Sequence, residues 1–274
     1  MAFKEEEKIT TISFSELGTW LSCPQKWYLQ YYGPGKDRKD KSEYLAYGTQ
    51  IHKAIQSLYQ FEENIIINDY KKEIVDELKN HDVIDDARVT NYKMVGTEII
   101  KQFNKSIYKN LQLNAIEYPI HLKVSEPEIF FKGFIDLVLH DNNGNYKLID
   151  LKTAKSGWNK YKQKDALKHL QLLLYKYFFS IISGVEFDKI ACEFVVLNST
   201  TRKIEPFTID SSQDRCMKAY ELLHTVLHAM YVEKKLYKNS KDCLFCPFSD
   251  TEHCDKVSPL KDYVDLKAMM IPIQ

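Results

Sequence analysis

Two acidic residues sit inside apolar, strand-like runs between Gly133 and Lys152, and this placement constrains the chain more than any other feature. Gly133-Phe-Ile-Asp136 leads into Leu137-Val-Leu139, a turn of sequence Asp141-Asn-Asn-Gly-Asn145 follows, and Tyr146 to Leu151 returns with Ile149-Asp150-Leu151-Lys152. A turn so rich in Asn, Asp and Gly reverses the chain. The two runs are therefore expected to pair as a hairpin. Alternation along a strand puts Asp150 and Lys152 on one face, and the hairpin brings the strand bearing Asp136 beside them. Two carboxylates in apolar surroundings are costly without a cation. A divalent ion held by oxygen ligands removes that cost, polarises a phosphodiester oxygen and makes a water more acidic. Lys152 would position that water or stabilise charge developing on a phosphate. Asp150-Leu-Lys152 by itself is a common triplet, equally suited to an ordinary strand with a solvent-facing lysine.

The flanking sequence supplies helices. Ser13-Phe-Ser-Glu16 has the spacing of a capping box and predicts a helix running to about Tyr32, ended by Gly33-Pro34-Gly35. A charged loop is expected from Lys36 to about Lys41. Apolar residues at helical spacing predict helices over 43–62, 67–80 and 86–110. The period changes near Ile116: strands are expected over 116–124, 128–139 and 146–151, a helix over 163–182, strands near 189–197 and 203–209, and a helix over 212–236. This order suggests an α/β (α+β) chain, a mixed β-sheet flanked by helices. One domain is expected over 1–274: a mainly helical part over 1–112, a core over 113–210 and a C-terminal helix with a cysteine-rich tail over 211–274.

Lys+Arg and Asp+Glu are both 38, so any nucleic-acid groove must be a local feature. Arginine is scarce (Arg38, Arg88, Arg202 and Arg215), which leaves phosphate contacts mainly to lysine. No apolar run approaches the roughly 20 residues that span a bilayer, and Met1 to Thr10 lack the apolar stretch of a signal peptide. A cytoplasmic protein is expected. Its six cysteines would then be reduced and available for metal binding.

Gly48-Thr-Gln-Ile-His52 places a glycine and a histidine on one helix face, and Gln171-Leu-Leu-Leu-Tyr175 does the same for a polar and an aromatic residue. Alone, each pair reads as ordinary packing. With Gly133-Phe-Ile-Asp136 and Ile149-Asp150-Leu-Lys152-Thr, in this order, the chain resembles the RecB-type branch of the PD-(D/E)XK nuclease superfamily. It is especially similar to the iron-sulfur exonucleases related to CRISPR-adaptation nucleases and to the AddB nuclease domain. The resemblance runs from about Phe14 to Cys254. It implies a restriction-endonuclease-like core, with His52, Asp136, Asp150 and the Leu151 carbonyl as ligands of Mn²⁺ or Mg²⁺. Lys152 would be catalytic, and Gln171 and Tyr175 would orient DNA or Lys152. A nitrogen ligand tilts the ion toward Mn²⁺.

Cys243-Leu-Phe-Cys246, Cys254 and the distant Cys23 match the arrangement with which similar nucleases hold a four-iron four-sulfur cluster, one cysteine before the core and three after it. Such a cluster would staple the chain ends together. The last spacing is longer than is usual there, and His253 adjoins Cys254, so zinc is an alternative occupant. Cys192 and Cys216 read as small buried residues. Lys155, Lys160, Lys162, Lys164 and Lys168, interleaved with Trp158 and Tyr161, suit a single strand, or equally a solvated lysine-rich face. Trp20, Trp27, Tyr28, Tyr31 and Tyr32 read as packing near Cys23. The function expected is a metal-dependent exonuclease acting on single-stranded DNA or DNA ends in recombination, repair or CRISPR adaptation, of phage or bacterial origin. A DNA-end-binding adaptor subunit and an endonuclease on the same core are the alternatives.

Overall fold

The computed structural model describes residues 11–36, 42–83, 85–104, 106–125, 128–233, 236–239, 243–244, 246–249 and 251–255. The charged loop expected from Lys36 lies, past that residue, outside them. Six strands form one mixed sheet: β1 (Thr11–Ser13), β2 (Gln112–Ser125), β3 (Ile129–His140), β4 (Tyr146–Ala154), β5 (Ile190–Asn198) and β6 (Lys203–Thr208). The Asp141 carboxylate fixes the hairpin between β3 and β4, accepting from the backbone N–H of Asn143 and Asn145 at 2.8 and 2.9 Å. β4 and β5 pair in parallel over Tyr146–Ala154 and Ile190–Asn198. A parallel pair needs a crossover, and the short α6 (Lys160–Gln163) with α7 (Ala166–Ser183) provides it.

β2 runs antiparallel along all of β3. A strand has two edges, so the remaining partners share the other one. β1 pairs in parallel with Phe130–Lys132 and β4 pairs antiparallel with Leu137–His140. Residues 133–136 of β3 lie between these ladders, and β4 splays away beyond the Leu137–Ile149 pair. That opening is where the site forms.

The helices cover both faces. On one, α1 (Phe14–Ser22), α2 (Pro24–Tyr31), α7 and α8 (Gln213–Leu227) pack Trp27, Phe131, Phe178 and Phe194 into a core. On the other, α3 (Glu43–Ser57), α4 (Glu63–Asn80) and α5 (Asp86–Asn104) bury Ile51, Ile99, Leu137, Leu151 and Leu197. Several expectations need correction. The helix expected over 86–110 ends at Asn104, and a 3-10 turn follows over Ile107–Asn110. Thr11–Ser13 forms a strand that the sequence did not announce. The helix expected from Ser13 to Tyr32 is two helices, because Pro24 holds the residue before it extended (Cys23 φ −160°, ψ 110°) and then starts α2. Its predicted start holds: the Ser13 hydroxyl accepts from the Glu16 N–H at 3.2 Å. The helix expected to Leu236 leaves α-geometry at Leu227 and continues as a π-turn over His228–Val232. Among the described residues no helix is long and apolar enough to cross a membrane.

Candidate active site

The opening in β3 is filled by side chains from β3, β4 and α3. Asp136 stands at its edge, and its Oδ2 accepts a 2.6 Å hydrogen bond from the backbone N–H of Leu151 on β4. The carboxylate thus takes the place of the backbone ladder where the two strands part. His52 of α3 approaches the same oxygen, with Nδ1 at 3.7 Å. Asp150 is almost fully buried, at 3% exposure. Lys152, two residues on and on the same face, brings Nζ to 2.7 Å from Asp150 Oδ2. That contact is a close, charge-assisted pairing of ammonium and carboxylate.

The electrostatics follow from burial. Removal from water raises the Asp136 pKa well above the usual carboxylate value. The Asp150 charge raises it further, against the opposing pull of Lys152 and the Leu151 amide. Burial also raises Asp150, opposed chiefly by Lys152. Burial works to lower Lys152, but Asp150 and Asp136 outweigh it, so the ammonium form is secured. His52 is driven down to about 4 by burial and by Lys152, and is a neutral imidazole at pH 7. Two crowded carboxylates and a neutral imidazole form a donor set suited to a divalent cation. Among the described residues no three His, Cys, Asp or Glu side chains are drawn into a finished metal cage.

Two residues not singled out in the sequence belong to this corner. Gln56, one turn after His52 on α3, donates from Nε2 to Glu117 Oε1 at 2.5 Å and to the Asp136 carbonyl at 3.2 Å. Glu117 lies on β2 beside Asp136 with φ +48°, which L residues rarely adopt. The burial pattern switches faces there on both strands. Ile116 and Leu137 pack on the α3–α5 side, whereas Tyr118 and Ile135, a step away, pack on the α7 side. The i, i+4 spacing from His52 could have pointed to Gln56. Nothing local announces the backbone at Glu117.

Gln171 and Tyr175 of α7 do come together: Gln171 Nε2 donates to the Tyr175 hydroxyl at 3.4 Å. Tyr175 lies against β3 at Gly133, where an added Cβ would be 2.8 Å from its Cε1. Both site carboxylates push its phenol up, after burial, to about 12. Of the lysines singled out, Lys152, Lys155, Lys162 and Lys168 line a cleft of about 350 Å³ that also takes in Trp158. Lys168 Nζ sits 5.4 Å over the Trp158 ring. Lys160 and Lys164 do not line it, and Tyr161 is 88% exposed. Cys192 and Cys216 are fully buried. Trp27 is a core residue, donating from Nε1 to Glu16 Oε1 at 3.0 Å.

The distant cysteines share one corner. Cys23 Sγ accepts from the Asn239 N–H at 3.4 Å, and the Cys243 thiol donates to the Asn239 carbonyl at 3.6 Å. Gln25 Nε2 donates to the His253 carbonyl at 3.2 Å. Burial raises the Cys254 thiol, and Cys243, Cys246 and Cys23 are near enough to act in the same direction.

A mixed sheet held between two helical layers is the restriction-endonuclease-like α/β arrangement. The chain belongs to the PD-(D/E)XK nuclease superfamily, whose profile matches residues 11–251. It is therefore a nuclease, a hydrolase of phosphodiester bonds, and members of this superfamily typically use Mg²⁺ or Mn²⁺. Among solved structures, the chain is similar to a protein of Eubacterium rectale provisionally described as an exonuclease. The TM-score is 0.55 and the identity 14%, covering 96% of each chain. It also superposes on the protein SSO0001 at a TM-score of 0.43, with 15% identity over 90% of this chain and 86% of that one. No curated protein matches it in sequence.

Proposed function

We propose that the chain is a RecB-type exonuclease that hydrolyses single-stranded DNA from free ends, serving recombination, repair or CRISPR adaptation in a bacterium or phage, with its centre at Asp136, Asp150 and Lys152. The observation that carries this reading is the parted hairpin, where Asp136 bonds the Leu151 amide and Asp150 meets Lys152. His52, Asp136, Asp150 and the Leu151 carbonyl would hold Mn²⁺ or Mg²⁺. When bound, the ion supplies positive charge to the scissile phosphate and acidifies water. Lys152, kept protonated by the two aspartates, stabilises the negative charge that grows on the phosphate. Tyr175 and Gln171 orient the strand from α7. The lysines around Trp158 carry its backbone while the Trp158 ring stacks on a base, as suits an unpaired strand.

Cys23, Cys243, Cys246 and Cys254 would hold a four-iron four-sulfur cluster that ties the chain ends over the core. Cys23 and Cys243 both contact Asn239, although among the described residues no three cysteines are drawn within reach of one metal, and zinc is the competing occupant. The whole chain would act as one catalytic unit: a helical part over 1–112 that supplies His52, a core over 113–210 and a cysteine-bearing part over 211–274.

Linear and circular single-stranded DNA, each incubated with Mn²⁺, test the proposal. Linear strands should shorten progressively from an end while circles survive. Cutting of circles would replace the exonuclease with an endonuclease. Asp150→Ala and Lys152→Ala should each lower the rate by about a hundred- to a thousandfold, given the charge stabilisation lost. Activity retained in either variant would displace the assigned centre.

A further inference from the structure

The cleft beside Lys152 does not close at its far end. Through Tyr44, Tyr47, Lys155 and Ser199 it shares walls with a larger cavity of about 570 Å³, lying between the start of α3 and the first half of α5. Both volumes fall within the ~300–1,000 Å³ of small-molecule sites. The larger cavity is walled by polar groups that the fold leaves unmatched. Tyr47 is 3% exposed and its ring lies 5.2 Å from that of Tyr92, yet its hydroxyl has no hydrogen-bond partner. Glu43 Oε1 accepts from Arg88 Nη2 at 2.6 Å and its carboxylate also takes the Tyr92 hydroxyl, although Oε2 has no partner of strict hydrogen-bond geometry. Buried polar groups of this kind are rare in proteins and call for a ligand, a water or a role. Where the two cavities join, Tyr44 presents a ring that is 59% exposed, and Lys155 stands beside it.

An unpaired nucleobase supplies what these walls lack. Its Watson–Crick edge carries an N–H donor beside an acceptor, matching a carboxylate oxygen and a phenol, and its flat face stacks on an exposed ring. In a duplex that edge is occupied and the face is covered. We propose that the cavity between α3 and α5 receives an unpaired base of the strand whose backbone passes Lys152, held by Tyr44, Tyr47 and Glu43, with Lys155 on the intervening phosphate. This rests on the nuclease reading of the Lys152 site. It adds a recognition point for single strands, set back from the bond that is cut.

The test is a binding scan in EDTA, where no cutting occurs. Short labelled single strands, each with one abasic site moved stepwise from the end, are titrated with the wild-type protein by fluorescence anisotropy. One position should weaken binding about tenfold, the loss of one stacked and bonded base. Tyr47→Phe keeps the ring and removes only the hydroxyl. It should weaken binding of the intact strand and shrink the abasic penalty at that one position, with thermal melting as the check on its fold. A flat scan with wild-type protein that still cuts the same strand in Mn²⁺ overturns the base pocket and leaves the nuclease reading standing. A position-specific dip with a protein that cuts no DNA upholds the pocket and overturns the exonuclease. An abasic penalty unchanged in folded Tyr47→Phe removes Tyr47 from the pocket and overturns the assignment.

Discussion

Asp136 serves two purposes that pull in opposite directions. Its carboxylate closes the gap between β3 and β4 through the Leu151 amide, while burial and the nearby Asp150 charge make its ionised form unfavourable. A carboxyl group whose folded pKa lies above its unfolded value binds more protons when folded. Stability is therefore lost as pH rises through the window from the ordinary carboxylate value up to the raised one. Metal-free Asp136→Asn should accordingly melt above wild type near pH 7.5 and lose that advantage near pH 4. Each kcal/mol relieved corresponds to about 2–4 °C in a chain of this size. Adding Mn²⁺ should raise the wild-type Tm and leave the variant's nearly unchanged. Calorimetry at the two pH values checks both statements. A variant that melts lower at both would mean that the Leu151 bond outweighs the relief of charge.

At the scale of elements, the site depends on how closely α7 approaches β3. Gly133 permits that approach, because a side chain there would collide with Tyr175. Gly133→Ala should cost about 1–3 kcal/mol through overpacking. It should also lower the cleavage rate about tenfold, since a small displacement of an orienting group is expensive in rate. A variant with reduced Tm and unaltered rate would show that Tyr175 only packs. The opposite helix makes a similar point. α3 carries Glu43, Tyr44, Tyr47, His52 and Gln56 along a single rod, so the proposed cation site and the proposed base pocket are fixed relative to each other by one helix.

The described residues form a sheet held between two helical layers, with the start of α2 meeting the segment after the last long helix where Cys23 contacts Asn239. A cluster bound there would restrain both segments, and its loss would release them. Anaerobically purified protein should be brown, and prolonged chelation or Cys243→Ala should bleach it. The bleached protein should melt lower by several degrees, as expected when a bound group that stabilises only the folded state is removed. A colourless, zinc-containing sample with the same melting loss would assign the corner to zinc.

Much of this was legible in the chain because it depends on local chemistry. The Asp141–Asn145 turn, the two-residue alternation around Asp136 and Asp150, and the helical spacing of His52, Gln171 and Tyr175 are properties of neighbouring residues, so order and spacing alone announced the hairpin, the helices and the main candidates. The break at Cys23 was also local, written in Pro24, but the apolar run through it concealed the break. Contacts between distant residues were decided only in three dimensions. The three-residue strand β1 exists because β3 offers it an edge. The left-handed backbone at Glu117 is set by its surroundings in the sheet rather than by its own preference. The cavity beside Tyr47 is formed by two helices and a turn that lie far apart in the sequence. Local propensity is set by a residue and its immediate neighbours, whereas edges, bulges and cavities arise where packed elements meet, and no window of sequence contains both sides.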